Sequence, residues 1–184
     1  MSLLIDPPFA LGQTLGVSSA SDGGSWVGAV KLFPDVDPTT GQIRSNRVKT
    51  CIAVRNTSGI ALTPKKLVQF ASGSFSAVDG YAAATDQVVA GVVDEHLPSG
   101  GVAANDVFWI TVAGPTEVTL GAAQQAAADT VLVSLTAAGT TNTTAAGRAQ
   151  TAAATWLPNG YVGRAISAGT TGQDVLAVVN LVRS

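Results

Sequence analysis

The chain has one histidine, His96, in the run VVDEHLPSGG, and two acids stand directly before it. Asp94, Glu95 and His96 are metal-ligand types, but successive side chains on a strand point to opposite faces, so only Asp94 and His96 could share a site. No second Cys/His group completes that pair, and a turn entering Pro98 and Gly100 accounts for the run. The segment FPDVDPTTG places Asp35-x-Asp37-x-Thr39, the opening motif of aspartate-nucleophile phosphatases. That chemistry needs the acids at the end of a buried parallel strand, with a lysine and further acids on later loops. Pro34 and Pro38 crowd the motif, no βα alternation follows, and a turn is predicted instead. The same acids fail as a calcium loop, because the glycine is misplaced and no Glu closes it. There is no G-x-S-x-G elbow, phosphate loop or dinucleotide fingerprint. A triad would have to use His96, and only two Glu are present for paired-carboxylate work. The sequence therefore predicts no catalytic, metal-ligating or cofactor-binding residue, no cofactor, and no enzyme. Asn56-Thr57-Ser58 and Asn142-Thr143-Thr144 are formal glycosylation acceptors and read as turn residues.

Charge and composition narrow the alternatives. Of 184 residues, 46% are hydrophobic and only 12% charged, so the surface is poorly hydrated and suited to cover by other subunits. A net charge of −2 argues against a general nucleic-acid binder. No run approaches the ~20 apolar residues of a membrane helix. Seven of the ten Lys and Arg lie from Lys31 to Lys66, while Asp79 to Asp106 holds five acids and no Lys or Arg. The basic stretch reads either as a solvated face or as one that meets an acidic neighbour. The lone Cys51, in KTCIAVRN, reads as a small buried hydrophobe. MSLLIDPP lacks a basic lead and turns polar at Asp6, which predicts synthesis in a cytoplasm-like compartment.

Two regions are expected. Residues 1–47 hold four of the eight prolines and the stretch SSASDGGS, which predicts an extended or irregular arm anchored by Trp26, Val30 and Phe33. Residues 48–184 alternate short Val/Ile/Thr/aromatic runs with turn residues, which predicts a mainly β domain, a small barrel or sandwich. GAAQQAAAD at 121–129 is the single good helix former. A duplication is expected, with units of about 56–114 and 115–184. Leu67 matches Leu132 at an offset of 65, Gly91 matches Gly163 at 72, and Asp106 matches Asp174 at 68. Along DVFWITV, Trp109 is expected to face either a neighbour or a second core layer of the same chain.

The phrases SGIALTPKKLVQFASG, VAGVVDEHLPSGGVAANDVFWITVAG and GYVGRAIS…DVLAVVNLV give residues 48–184 a rhythm that resembles the head decoration (cement) proteins of tailed bacteriophages. The resemblance implies homotrimers on the outer surface of an icosahedral capsid in the virion, bridging major capsid protein subunits, with no direct nucleic-acid or membrane contact. Trp26, Phe33, Arg44, Arg47, Lys49 and Trp109 are the candidate interface residues. A second reading is a virion or cell-surface glycan-recognition module using loop 136–155, near Trp156 and Tyr161.

Overall fold

The computed structural model describes residues 9–16, 26–82, 89–120, 126–129, 131–134, 141–143, 161–170 and 172–181. The chain is mainly β, as its composition of short β-branched runs requires. In order the strands are β1 (Val30–Val36), β2 (Ile43–Asn56), β3 (Leu67–Phe70), β4 (Ala77–Tyr81), β5 (Val89–Val93), β6 (Val107–Thr119), β7 (Val131–Ser134), β8 (Thr141–Thr143), β9 (Tyr161–Ala165) and β10 (Asp174–Asn180). They form one sheet in the order β1-β2-β4-β3-β5-β6-β10-β9-β7-β8. A further β2–β6 pairing ties β2, β4, β3, β5 and β6 into a ring that the remaining strands extend.

The two halves pair their strands in the same way. Within the first, β3 lies between β4 and β5, and β5 meets β6; within the second, β7 lies between β8 and β9, and β9 meets β10. The register shift falls after Val68 in one and after Leu132 in the other. Lys65 (φ 64°) and Asp129 (φ 69°) each precede these strands in left-handed geometry. Their N–H groups donate to Val93 O and Ala165 O at 3.0 and 2.8 Å. Leu62 and Val102 exchange backbone bonds, as do Ala126 and Gly169. Val68 therefore corresponds to Leu132, one position away from the match of Leu67 with Leu132 expected from the sequence.

β6 belongs to both halves. Its first part pairs with β2 from Val107 to Ala113, and its second part pairs with β10 from Ala113 to Thr119. Gly114 marks the handover with φ +101°, where an added Cβ would sit 2.5 Å from Val48 O. Sequence punctuation splits this strand at Gly114-Pro115, yet it runs through. The missing N–H of Pro115 falls on the edge where no strand pairs, the same edge from which Glu117 and Thr119 donate to Glu95 Oε2 and Lys65 O, both at 3.0 Å.

Three hydrophobic clusters follow. One fills the first half around Val54, Leu62, Phe108 and Ile110. A second fills the other half around Leu120, Leu132, Val162 and Val175, and also takes in Leu67 and Val92 from the first. The third packs Phe9, Phe33, Cys51, Ala53, Val107 and Trp109 on the outer side of β2 and β6.

Two expectations change. Residues 30–47, expected within an arm, are β1 and the start of β2, so the sheet crosses the expected 47/48 boundary; extended backbone found a partner strand here. The expected helix at 121–129 lies partly outside the described residues, and its described part is a bridge at Ala126 followed by a turn. No helix among the described residues is long and apolar enough to cross a membrane.

Candidate functional site: an ion network and an exposed hairpin face

The charged residues singled out by the sequence converge, but on one another. Glu95 follows β5 in a turn and is buried, accepting from Lys49 Nζ at 2.5 Å, Arg44 Nη2 at 2.6 Å and the Glu117 N–H at 3.0 Å. Arg44 also donates from Nε to Asp35 Oδ1 at 3.0 Å, and Ser45 Oγ donates to Asp35 Oδ2 at 2.8 Å. Lys65 continues the chain of charges to Glu117 at 2.7 Å and Asp174 at 2.8 Å. Burial pulls the Arg44 and Lys65 cations toward losing their protons, but their carboxylate partners outweigh it and hold both above their ordinary values. This network crosses β1, β2, β6 and β10. Its members pair with one another across these strands, which suits a clamp.

The other sequence motifs resolve similarly. Asp37 accepts from Thr39 N–H at 2.8 Å and Thr40 N–H at 2.9 Å, a turn whose two bonds hold its carboxyl below the usual range. Asp94 accepts from Gly12 N–H at 2.6 Å and His96 N–H at 3.0 Å, and burial pushes its carboxyl up despite both bonds. Burial likewise depresses His96, against the pull of Asp94. Among the described residues no group of three or more His, Cys, Asp or Glu could hold a metal. Cys51 is buried and its thiol is pushed up to about 12 by desolvation, so it is chemically inert. Asn56 is buried, its Nδ2 donating to Ile60 O, Val102 O and Ala103 O.

Of the six expected interface residues, only Arg47 is exposed. Trp109 is wholly buried within its own chain. Its ring stacks on Phe9 at 4.5 Å, Phe33 meets it edge-on at 5.2 Å, and its Nε1–H donates to Phe9 O at 3.2 Å. The segment around Phe9 and Leu15 is thus a strap that covers Trp109 from within the same chain, the second of the two expected arrangements. Phe33 and half-buried Trp26 belong to the same cluster. Lys49 is buried by its ion pair, and Arg44 is 12% exposed in the network. Loop 136–155 and Trp156 lie outside the described residues except for β8.

What the sequence reading missed is the opposite face of the β1–β2 hairpin. Val30 and Leu32 are each 61% exposed, Ile43 68% and Val48 55%. The register sets Val30 beside Ile52, Leu32 beside Thr50 and Pro34 beside Val48 on one face, and past the register shift after Pro34 it sets Val36 beside Ile43 at the end of the same hairpin. The signal was present as period-two alternation in VKLFPDV, but burial of Phe33 decides which face is outward, and Phe33 looked like the anchor to a partner.

No protein-family profile matches the chain, and no curated protein matches it. Among solved structures the chain is similar to the N base of the head fiber gp8.5 of bacteriophage phi29, at 15% identity and a TM-score of 0.43, covering 74% of this chain and 98% of that one.

Proposed function

We propose that the chain is a non-catalytic structural protein of a tailed-phage head, which attaches to the outer surface of the shell and stabilises it by bridging major capsid subunits. The observation that carries this reading is the exposed apolar face of the β1–β2 hairpin. Val30, Leu32, Ile43 and Val48 lie on a rigid sheet, and apolar side chains grouped on such a surface mark a docking site. The ion network supports a structural role, since its pairs tie β1, β2, β6 and β10 together beside that hairpin. The sequence rhythm of residues 48–184 resembles the decoration proteins and points to the head as the surface met. The weak likeness to the phi29 head fiber is not needed for the reading.

A protein of this kind acts by mass action: it binds the assembled shell and not the free subunits, and so shifts the equilibrium toward assembly. The test is co-sedimentation with heads built from the major capsid protein of the same virus. Saturable pelleting together with a raised melting temperature of the heads is expected; protein that stays in the supernatant overturns the reading.

A further inference from the structure

The strap at residues 9–16 rests on the turn that follows β5. It carries no charged or titratable side chain, so the turn supplies the groups that hold it. Gly12, at φ +78°, lies so close that an added Cβ would stand 3.0 Å from His96 O and 3.4 Å from His96 Cβ. The same glycine donates its N–H to Asp94 Oδ2 at 2.6 Å, and His96 N–H donates to Asp94 Oδ1 at 3.0 Å. Asp94 is therefore the joint between strap and turn. The His96 side chain beside it is 16% exposed, and its Nε2 is buried with no hydrogen-bond partner among the described residues. Glu95 Oε1 lies 3.9 Å from that nitrogen and already accepts from Lys49 Nζ and Arg44 Nη2.

We propose that the strap is a latch opened by protonation of His96, which lifts residues 9–16 off Trp109 while the sheet beneath stays folded. A neutral ring leaves one polar atom unmet at this place; an imidazolium leaves a charge unmet, which costs far more. The charged groups that face it are Asp94 and Glu95 from its own turn and Lys49 and Arg44 from β2. The two cations repel it and hold Glu95 to themselves. Asp94 is left to take the new donor, and its carboxylate then serves the ring in place of the Gly12 N–H. With the strap closed, burial holds His96 below 6.5; once open, the ring regains water and its ordinary value. Opening thus takes up a proton and is favoured as pH falls below 6.5. Asp94 acts in the reverse sense, since burial raises its carboxyl in the closed form and its protonation favours closure. The latch therefore opens in a window below 6.5 and above the carboxylate range. What it uncovers is the Trp109 ring and the backbone N–H and C=O of Val107 that Leu15 occupies when closed. This device does not rest on the reading as a head protein.

Hydrogen exchange of the full chain at about pH 7.5 and about pH 5.5, corrected for intrinsic rates, tests the latch. At both values the Gly12 and Leu15 amides are expected to be at least about tenfold less protected than those of the β2–β6 ladder, because they open without global unfolding. Their protection should fall a further threefold or more at the lower pH, up to the about tenfold that one proton supplies over one pH unit. His96→Gln, which cannot take up that proton, should keep the strap amides equally protected at both values. Strap protection in the wild type that does not change with pH, a fall that persists in H96Q, or strap amides as protected as the ladder each overturn the proposal.

Discussion

Lys49 Nζ lies 2.5 Å from Glu95 Oε1, with the two side chains 1% and 0% exposed. A cation and an anion from distant parts of the sequence thus neutralise each other where β2 passes the turn after β5. Removing Lys49 alone leaves Glu95 buried with only part of its compensation, from Arg44, whereas removing both charges leaves no unpaired ion at this position and Arg44 keeps Asp35. Lys49→Met is expected to cost about 2–4 kcal/mol, the lower end reflecting Arg44, which stays on Glu95. Lys49→Met combined with Glu95→Gln should cost less than the sum of the single changes. Urea melts of the four proteins check this; a single variant within about 0.5 kcal/mol of wild type contradicts it.

Gly91 and Gly163 hold corresponding places in the two halves but face different neighbours. A Cβ on Gly91 would meet the Ile110 side chain from Cδ1 at 2.8 Å to Cβ at 2.9 Å, so Ile110 must turn and its strand give slightly. One on Gly163 would overlap the backbone carbonyl of Val178, which cannot turn aside. Gly163→Ala should therefore lower the melting temperature by several degrees more than Gly91→Ala. Equal losses would mean that the β9–β10 approach is looser than described.

His96 titrates below its ordinary value of 6.5 because it is partly buried, with Asp94 pulling the other way. As pH falls through that value the unfolded chain takes up the proton first, so the fold loses stability. Asp94 is shifted upward by burial, and its protonation favours the fold again only further down, in the carboxylate range. Melting temperature should fall from about pH 7.5 to about pH 5.5, and His96→Gln should flatten that slope. A slope unchanged in the variant would move the effect to another group.

The strap over Trp109 is held by local bonds: Leu15 and Val107 exchange N–H···O contacts at 2.8 and 2.9 Å, and Gly12 N–H reaches Asp94. Phe9→Ala removes the ring stacked on Trp109 and is expected to cost about 2–4 kcal/mol of local stability. In hydrogen exchange the Leu15 and Gly12 amides should lose protection well before those of the β2–β6 ladder. Uniform exchange across all of them would show the strap to be part of the global fold.

Much of the β architecture was legible because Val/Ile/Thr runs and turn residues are local signals. The duplication was legible too, as paired phrases around Gly91 and Gly163. The exact register was not, since a one-residue slip between Leu67 and Val68 costs nothing in composition and is settled by the matching left-handed residues Lys65 and Asp129 and the register shifts after Val68 and Leu132. Which side chains meet within the chain was not legible where the contacts are non-local. Trp109 and Phe33 pack together under the Phe9 strap and Lys49 is buried on Glu95, and no spacing within the chain announces those meetings. The basic stretch from Lys31 to Lys66 likewise looked outward, while Arg44, Lys49 and Lys65 are engaged inside.

The central claim is that the exposed apolar face of the β1–β2 hairpin, with Val30, Leu32, Ile43 and Val48, docks on a phage head. Its most direct test is co-sedimentation of wild type, an Ile43→Asp/Val48→Asp variant and a Phe75→Asp control with heads built from the major capsid protein of the same virus. Both hairpin positions are more than half exposed, so the variant should keep its fold. The account predicts that wild type and the Phe75 variant pellet alike, while the hairpin variant binds at least tenfold more weakly. Binding by the hairpin variant equal to wild type would contradict it.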